Sequence, residues 1–232
     1  MTQPTLIAFD ADDTLWQNET LYHNAQETFV GLLTHYHPEE WIRERLYQTE
    51  MRNLDHFGYG IKAFALSMIE TVVELTEGRV KGEDIRTLID VAKAMIDADI
   101  ELLPGVRDVV ENLSQHCPLA IITKGDLLDQ QRKVERSKIG HYFTHIEVVA
   151  DKNLATYQAL MSKMGVAPAQ FLMIGNSLKS DILPILELGG QAVYVPHGLT
   201  WEHEHAPNPA ANTPGFFQIE TISQLPGILK AL

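Results

Sequence analysis

Leu6-Ile7-Ala8-Phe9-Asp10-Ala11-Asp12-Asp13-Thr14 passes abruptly from four apolar residues to a cluster of carboxylates. The apolar run is too short for a helix and does not alternate with polar residues, the pattern of a strand buried on both faces of a parallel sheet. In an open parallel sheet, ligands bind beyond the carboxyl ends of the strands, so the acids that follow are where chemistry is expected. Asp10 and Asp12, two apart in an extended segment, point the same way. Carboxylates that close repel, and a divalent cation is a natural way to hold at least one of them ionised. All-oxygen ligands suit Mg²⁺, which readily shares its shell with waters and a substrate phosphate. A plainer reading stays open beside this one, in which the Asp-rich turn only caps the next helix.

Downstream of this stretch the pattern changes twice. From about residue 20 to 100 the apolar residues recur at helical spacing with no convincing strand, which predicts helices near 20–35, 38–55, 61–77 and 82–97. Pro38 followed by Glu39 and Glu40 makes a good helix start, and Gly58, Gly60, Gly78 and Gly82 punctuate the rest. After Leu103-Pro104-Gly105, strands and helices alternate. Strands are expected at Leu119–Ile122, Ile146–Val149, Phe171–Ile174, Ala192–Val195 and Phe216–Ile219, and helices near 127–138, 154–164, 179–188 and the C-terminus. Repeated β-α units of this length predict an α/β fold, a doubly wound parallel sheet, with right-handed crossovers. The expected organisation is a discontinuous Rossmann-like core, residues 1–15 and 102–232, with an all-helical insertion at 16–101. The stretch 196–215, rich in proline and histidine, reads as a long surface loop.

The strand ends then supply the candidate site. The second strand ends in Thr123-Lys124-Gly125, the third is followed by Asp151-Lys152, and the fourth ends in Gly175-Asn176-Ser177 with Asp181 one turn on. Each delivers small polar or charged groups to one edge of the sheet. Taken singly they have ordinary readings: Thr123 as a helix N-cap, Lys152 as a solvated lysine, and the Lys124 and Lys179 side chains as surface charges.

Taken in order, DADDTL (10–15), IITKG (121–125), Lys152 and GNSLKSD (175–181) resemble the four motifs of the haloacid dehalogenase-like (HAD) superfamily, with the helical insertion where its helical-cap members carry their cap. The resemblance spans the chain and implies a phosphohydrolase. Asp10 would be the nucleophile that forms an aspartyl-phosphate. Asp12 would act as general acid and then general base, with its backbone carbonyl on Mg²⁺ beside the Asp10 carboxylate. Thr123 and the amide of Lys124 or Gly125 would bind phosphate oxygens, and Lys152 would neutralise the phosphate and Asp10. Asn176 and Asp181 would complete the metal site. Family phosphatases usually carry an acid at the position of Asn176, so weaker Mg²⁺ binding is expected here, and it stays open whether Asp181 reaches the metal directly or Asp13 helps through a water. Alternatives are a phosphomutase, a 2-haloacid dehalogenase-type hydrolase, which needs no second aspartate, and a non-catalytic binding or regulatory protein. A Schiff-base role, as in phosphonate cleavage, would fall to Lys62.

Composition bounds the partners. The chain has 232 residues and a formal charge of −13, which argues against nucleic acid or an anionic membrane as the main partner and leaves a small phosphorylated substrate. The start lacks the basic and apolar regions of a signal peptide, and no apolar run is long enough to span a bilayer. The single Cys117 cannot form an intrachain disulfide, which fits the cytoplasm, and reads as a small buried hydrophobe. His56 to Lys62 is the expected substrate-contacting turn of the cap, with helix packing by Phe57, Tyr59 and Phe64 as the alternative. Trp16 is expected to pack at the hinge and the polar run Trp201–His205 to be solvated, with His197 as a candidate to approach the site. The sequence leaves the substrate and the oligomeric state open.

Overall fold

The computed structural model describes residues 2–210 and 212–231. Six strands form one parallel sheet: β1 (Leu6–Phe9), β2 (Leu119–Lys124), β3 (His145–Val149), β4 (Phe171–Gly175), β5 (Gln191–Tyr194) and β6 (Phe216–Gln218). Their spatial order is β3-β2-β1-β4-β5-β6, with every neighbouring pair parallel. The chain winds outward from β1 to β3, then restarts on the other side of β1. The carboxyl end of β1 is therefore the topological switch point, where a parallel sheet opens a crevice.

The strand residues explain why the sheet is covered on both faces. Ile7, Phe9, Ile121 and Ile174 point into one buried cluster, while Leu6, Ala8, Ala120, Ile122 and Met173 point into another. Alternation with period two sends successive side chains to opposite faces, so a strand that is apolar throughout needs a layer on each side. The register aligns Phe9 with Ile121 and with Ile174. Asp10, one residue further, thus leaves the sheet between the ends of β2 and β4.

The chain divides into two compact units, 1–19 with 100–232, and 20–99. The second contains α1 (Glu19–Leu33, whose first residue belongs to the other unit), α2 (Glu39–Phe57), α3 (Ile61–Leu75) and α4 (Gly82–Asp97). Its own core is built on Phe29, Leu33, Ile42, Leu46, Ile61, Phe64, Met68 and Leu88. Of the aromatics proposed for helix packing, Phe64 is buried against Tyr22, whereas Phe57 is half exposed. No described helix is long and apolar enough to cross a membrane.

The first unit continues with α5 (Val106–Ser114), α6 (Leu127–Ser137), α7 (Leu154–Met164), a π-helical turn at Leu178–Ile182 running into α8 (Leu183–Glu187), and α9 (Leu225–Ala231). Helix α5 is an element the sequence reading passes over, although Val106, Val109, Val110 and Leu113 carry its i, i+3, i+4, i+7 signal and are all buried. Cys117 is half-buried rather than buried, with its thiol pushed up by burial.

Candidate active site

Asp10 directly follows the last residue of β1, its backbone N–H donating to Ile174 O at 2.8 Å. Its carboxylate is held from both sides. Lys152 Nζ donates to Oδ1 at 2.5 Å, and Thr14 Oγ1 donates to Oδ2 at 3.0 Å. Lys152 is only 4 % exposed, which removes its reading as a solvated lysine. Its ammonium also donates to Asp181 Oδ1 at 2.7 Å, while Asp181 Oδ2 accepts from the Ser177 amide at 3.0 Å. Burial works against the charge on Lys152, but Asp10 and Asp181 outweigh it and hold the ammonium well above the ordinary lysine range. Burial pushes the Asp10 carboxyl up to about 7, opposed by Lys152 and reinforced by Asp181 and Asp12.

Local sequence makes this arrangement possible. A side chain at Gly175 would overlap the Asp181 carboxylate, so the glycine at the end of β4 is the space into which Asp181 folds back. Pro184 has no N–H to offer the Ser180 carbonyl, which instead accepts from the Tyr157 hydroxyl at 3.0 Å. The turn that carries Asp181 is thereby tied to α7.

The other acids separate into distinct environments. Asp13, with φ of 60°, accepts from the backbone N–H groups of Asn18 and Glu19 at 2.9–3.1 Å. The capping reading of the Asp-rich turn is therefore right for Asp13, whose oxygens serve the start of α1. His197 Nδ1 lies 3.7 Å from Asp13 and 2.7 Å from Leu199 O. Asp12 is clasped by Trp16, expected from the sequence only to pack at the hinge, and by two residues the sequence reading does not single out: Trp16 Nε1 donates at 2.7 Å, Gln130 Nε2 at 2.8 Å, and Lys133 Nζ reaches both oxygens at 3.0 and 3.1 Å. Two lysines thus do much of what the sequence reading asks of a cation, Lys152 on Asp10 and Lys133 on Asp12.

Thr123 is buried at 1 % exposure within β2, and α6 is capped instead by Asp126, whose side chain accepts from Asp129 N. The N-cap reading of Thr123 therefore falls away. The side chain of Lys124 is neither a surface charge nor directed to a free anion site. It pairs with Glu204 and donates to Ser180 Oγ at 2.9 Å. Glu204 also accepts from Ser177 Oγ at 2.5 Å and Ser180 Oγ at 2.6 Å. Burial acts against its charge, but Lys124 and the two hydroxyls prevail and hold its carboxyl down to about 2. The run Trp201–His205 is consequently docked through Glu204, which corrects the expectation of a solvated loop. Lys179 does lie exposed, against His203.

A divalent cation can be tested against these oxygens. Thr14 Oγ1 lies 3.0 Å from Asp10 Oδ2 and 3.3 Å from Asn176 Oδ1. One hydroxyl carries one hydrogen and can satisfy only one of the two acceptors. Two oxygens converging on a single donor leave a demand for positive charge, and hard oxygen ligands suit Mg²⁺. Among the described residues no three His, Cys, Asp or Glu side chains gather as a metal-binding group. A cation here would therefore draw on the Asn176 amide and a main-chain carbonyl such as that of Asp12 as well as on Asp10. Asp181, with one oxygen on Lys152 and the other on the Ser177 amide, is disposed to hold the lysine.

The chain matches the family of haloacid dehalogenase-like hydrolases over residues 4–189. It belongs to that family. A haloacid dehalogenase-like family hydrolase from Xanthomonas campestris superposes with a TM-score of 0.89 at 36 % identity, over 99 % of this chain and 91 % of that one. The glyceraldehyde 3-phosphate phosphatase of Methanothermobacter thermautotrophicus is 32 % identical over 117 residues, which span 48 % of this chain and 50 % of that protein. The N-acylneuraminate-9-phosphatase of Rattus norvegicus is 22 % identical over 97 % of this chain and 94 % of its own length.

Proposed function

We propose that this protein is a Mg²⁺-dependent phosphomonoesterase that hydrolyses a small phosphorylated metabolite through an aspartyl-phosphate on Asp10. The observation that carries the reading is the setting of Asp10. It is a buried carboxylate on the switch-point strand, flanked by Lys152 and Thr14, with a second aspartate two residues on. Both curated relatives described above are named as phosphatases, which supports cleavage of a phosphoester over cleavage of a carbon–halogen bond. So does Asp12, for which dehalogenation has no use.

In the first step an Asp10 oxygen bonds to phosphorus while the ester P–O bond breaks, and Asp12 gives its proton to the departing oxygen. In the second step Asp12 takes a proton from water, the water oxygen bonds to phosphorus, and the Asp10–phosphorus bond breaks to free inorganic phosphate. Lys152 neutralises the charge gathered on Asp10 and the transferring group, and Asp181 keeps the ammonium in place for both steps. Thr123 and the amides of Lys124 and Gly125 are assigned to the phosphate oxygens. Asp10, the Asp12 carbonyl and Asn176 would hold Mg²⁺, which when bound would supply fixed positive charge to the phosphate. The all-helical unit takes the role of the cap that selects the substrate, and the protein is placed in the cytoplasm.

The direct test is hydrolysis of p-nitrophenyl phosphate with Mg²⁺, with excess chelator, and by Asp10→Asn. Turnover lost under both treatments is the expected result. Turnover that survives in Asp10→Asn would remove the covalent mechanism, and none on any phosphoester would remove the phosphatase reading.

A further inference from the structure

Buried polar groups gather around Asp12. Lys133 is 6 % exposed and Gln130 is 2 % exposed, both on α6, and Trp16 is fully buried. A lysine so deep in a core is costly unless it is paired. This one is spent on Asp12, on Asn18 Oδ1 at 2.8 Å and, more distantly, on Asp129 at 3.7 Å. Gln130 turns its amide nitrogen to Asp12, leaving its own buried Oε1 without a hydrogen-bond partner. An amide oriented at that expense points to the carboxylate as the group being served. Gly125, at φ of 145°, makes the room, since a side chain there would press on the Gln130 amide at 3.1 Å.

We propose that Lys133 and Gln130, with the Trp16 indole, are positioning residues that fix the Asp12 carboxylate for its proton transfers. The inference rests on the reading of Asp12 given above and extends it to residues outside the four motifs. A carboxylate offers about four lone-pair sites. Trp16 takes one on Oδ1 and Gln130 one on Oδ2, and these two hold the plane of the carboxylate. The single Lys133 ammonium spans both oxygens and needs to withdraw only one hydrogen to open a site for the proton that passes to the leaving oxygen. None of the three touches the reacting phosphorus in this scheme; each acts through Asp12.

Leaving-group dependence separates positioning from mere structure. A good leaving group departs with little help from an acid, whereas a poor one depends on it. Steady-state kinetics of wild type, Lys133→Met, Lys133→Arg and Gln130→Leu are to be compared on p-nitrophenyl phosphate and on phenyl phosphate. Lys133→Met is expected to lower kcat on phenyl phosphate by about 10–100-fold and on p-nitrophenyl phosphate by no more than about 3-fold, with KM nearly unchanged. Lys133→Arg should recover part of the loss. In the background of Asp12→Asn the same substitution should add almost nothing, because the two act as one unit. Should Lys133→Met melt far below wild type, Gln130→Leu, which removes a neutral donor, carries the same comparison. Equal losses on both esters, or losses that add to those of Asp12→Asn, would overturn the inference while leaving the phosphatase reading intact. Wild-type inactivity on both esters, or turnover surviving in Asp10→Asn, would instead strike the reading on which it rests.

Discussion

Helices α5 and α6 flank the same sheet but are built the opposite way round. In α5 the buried residues are Val106, Val109, Val110 and Leu113, the ordinary apolar stripe of a helix that covers a sheet. In α6 the buried residues include Asp129, Gln130, Lys133 and Ser137, while Leu127 and Leu128 stand 57 % and 49 % exposed. An amphipathic helix normally turns its charged face to water because burying charge costs free energy. α6 turns much of that face inward, where Asp12 and Asn18 receive Lys133. One helix serves stability, and the other serves the acids at the end of β1.

The sharpest way to break this contrast lies at the centre of the polar side. Asp10→Asn should reduce turnover roughly 10³-fold or more while leaving the melting temperature close to wild type, since it keeps the shape of the side chain. If activity and stability fell together, the polar side would be structural after all. The converse experiment is Leu113→Ala in α5, which should cost about 2–5 kcal/mol in denaturant unfolding. Turnover per folded molecule should be unchanged; a large loss of kcat would give α5 a part in the chemistry.

Smaller effects refine the picture. Asn176→Asp restores a negative charge beside Asp10 and should lower the Mg²⁺ concentration for half-maximal activity several-fold, on the order of the effect of one added ligand charge. Identical Mg²⁺ curves would take Asn176 out of the metal site. Glu204 tests whether stability on the polar side is ionic. Its folded carboxyl lies at about 2, below the ordinary 4.5, so its contribution is complete above about pH 4.5 and fades as pH falls toward 2. The melting difference between wild type and Glu204→Gln should therefore be widest above pH 5 and shrink on acidification; a constant difference would mean that charge is not what docks the loop. Least of all, Leu127→Glu on the outward face of α6 should shift stability by no more than about 0.5 kcal/mol. A larger loss would mean that Leu127 is covered by something and that α6 is an ordinary helix.

The inverted helix also marks where sequence reading stops. Lys133 and Gln130 look like solvent-facing residues because type and spacing identify a polar face without saying what that face meets. Trp16 shows the same limit, since an indole can be recognised as core material but not as the donor to Asp12. Glu204 sits in a run of prolines and histidines whose loop chemistry predicts exposure, yet Lys124 at the end of β2 and Ser177 and Ser180 in the turn after β4 draw it in. Helix α5, by contrast, was legible in the spacing of its valines and leucine.

By itself the sequence determined the parallel sheet, the all-helical insertion and the group of Asp10, Lys152 and Asp181. Short apolar runs ending in polar residues carry these in local order, because alternation and strand ends are properties of neighbouring residues. Tertiary structure alone decided which partner the other charges take: Asp181 on Lys152, Lys133 on Asp12 and Glu204 on Lys124. Those choices depend on burial and on distances between segments up to 121 residues apart, where desolvation forces each charge to find an opposite one and no local pattern records which.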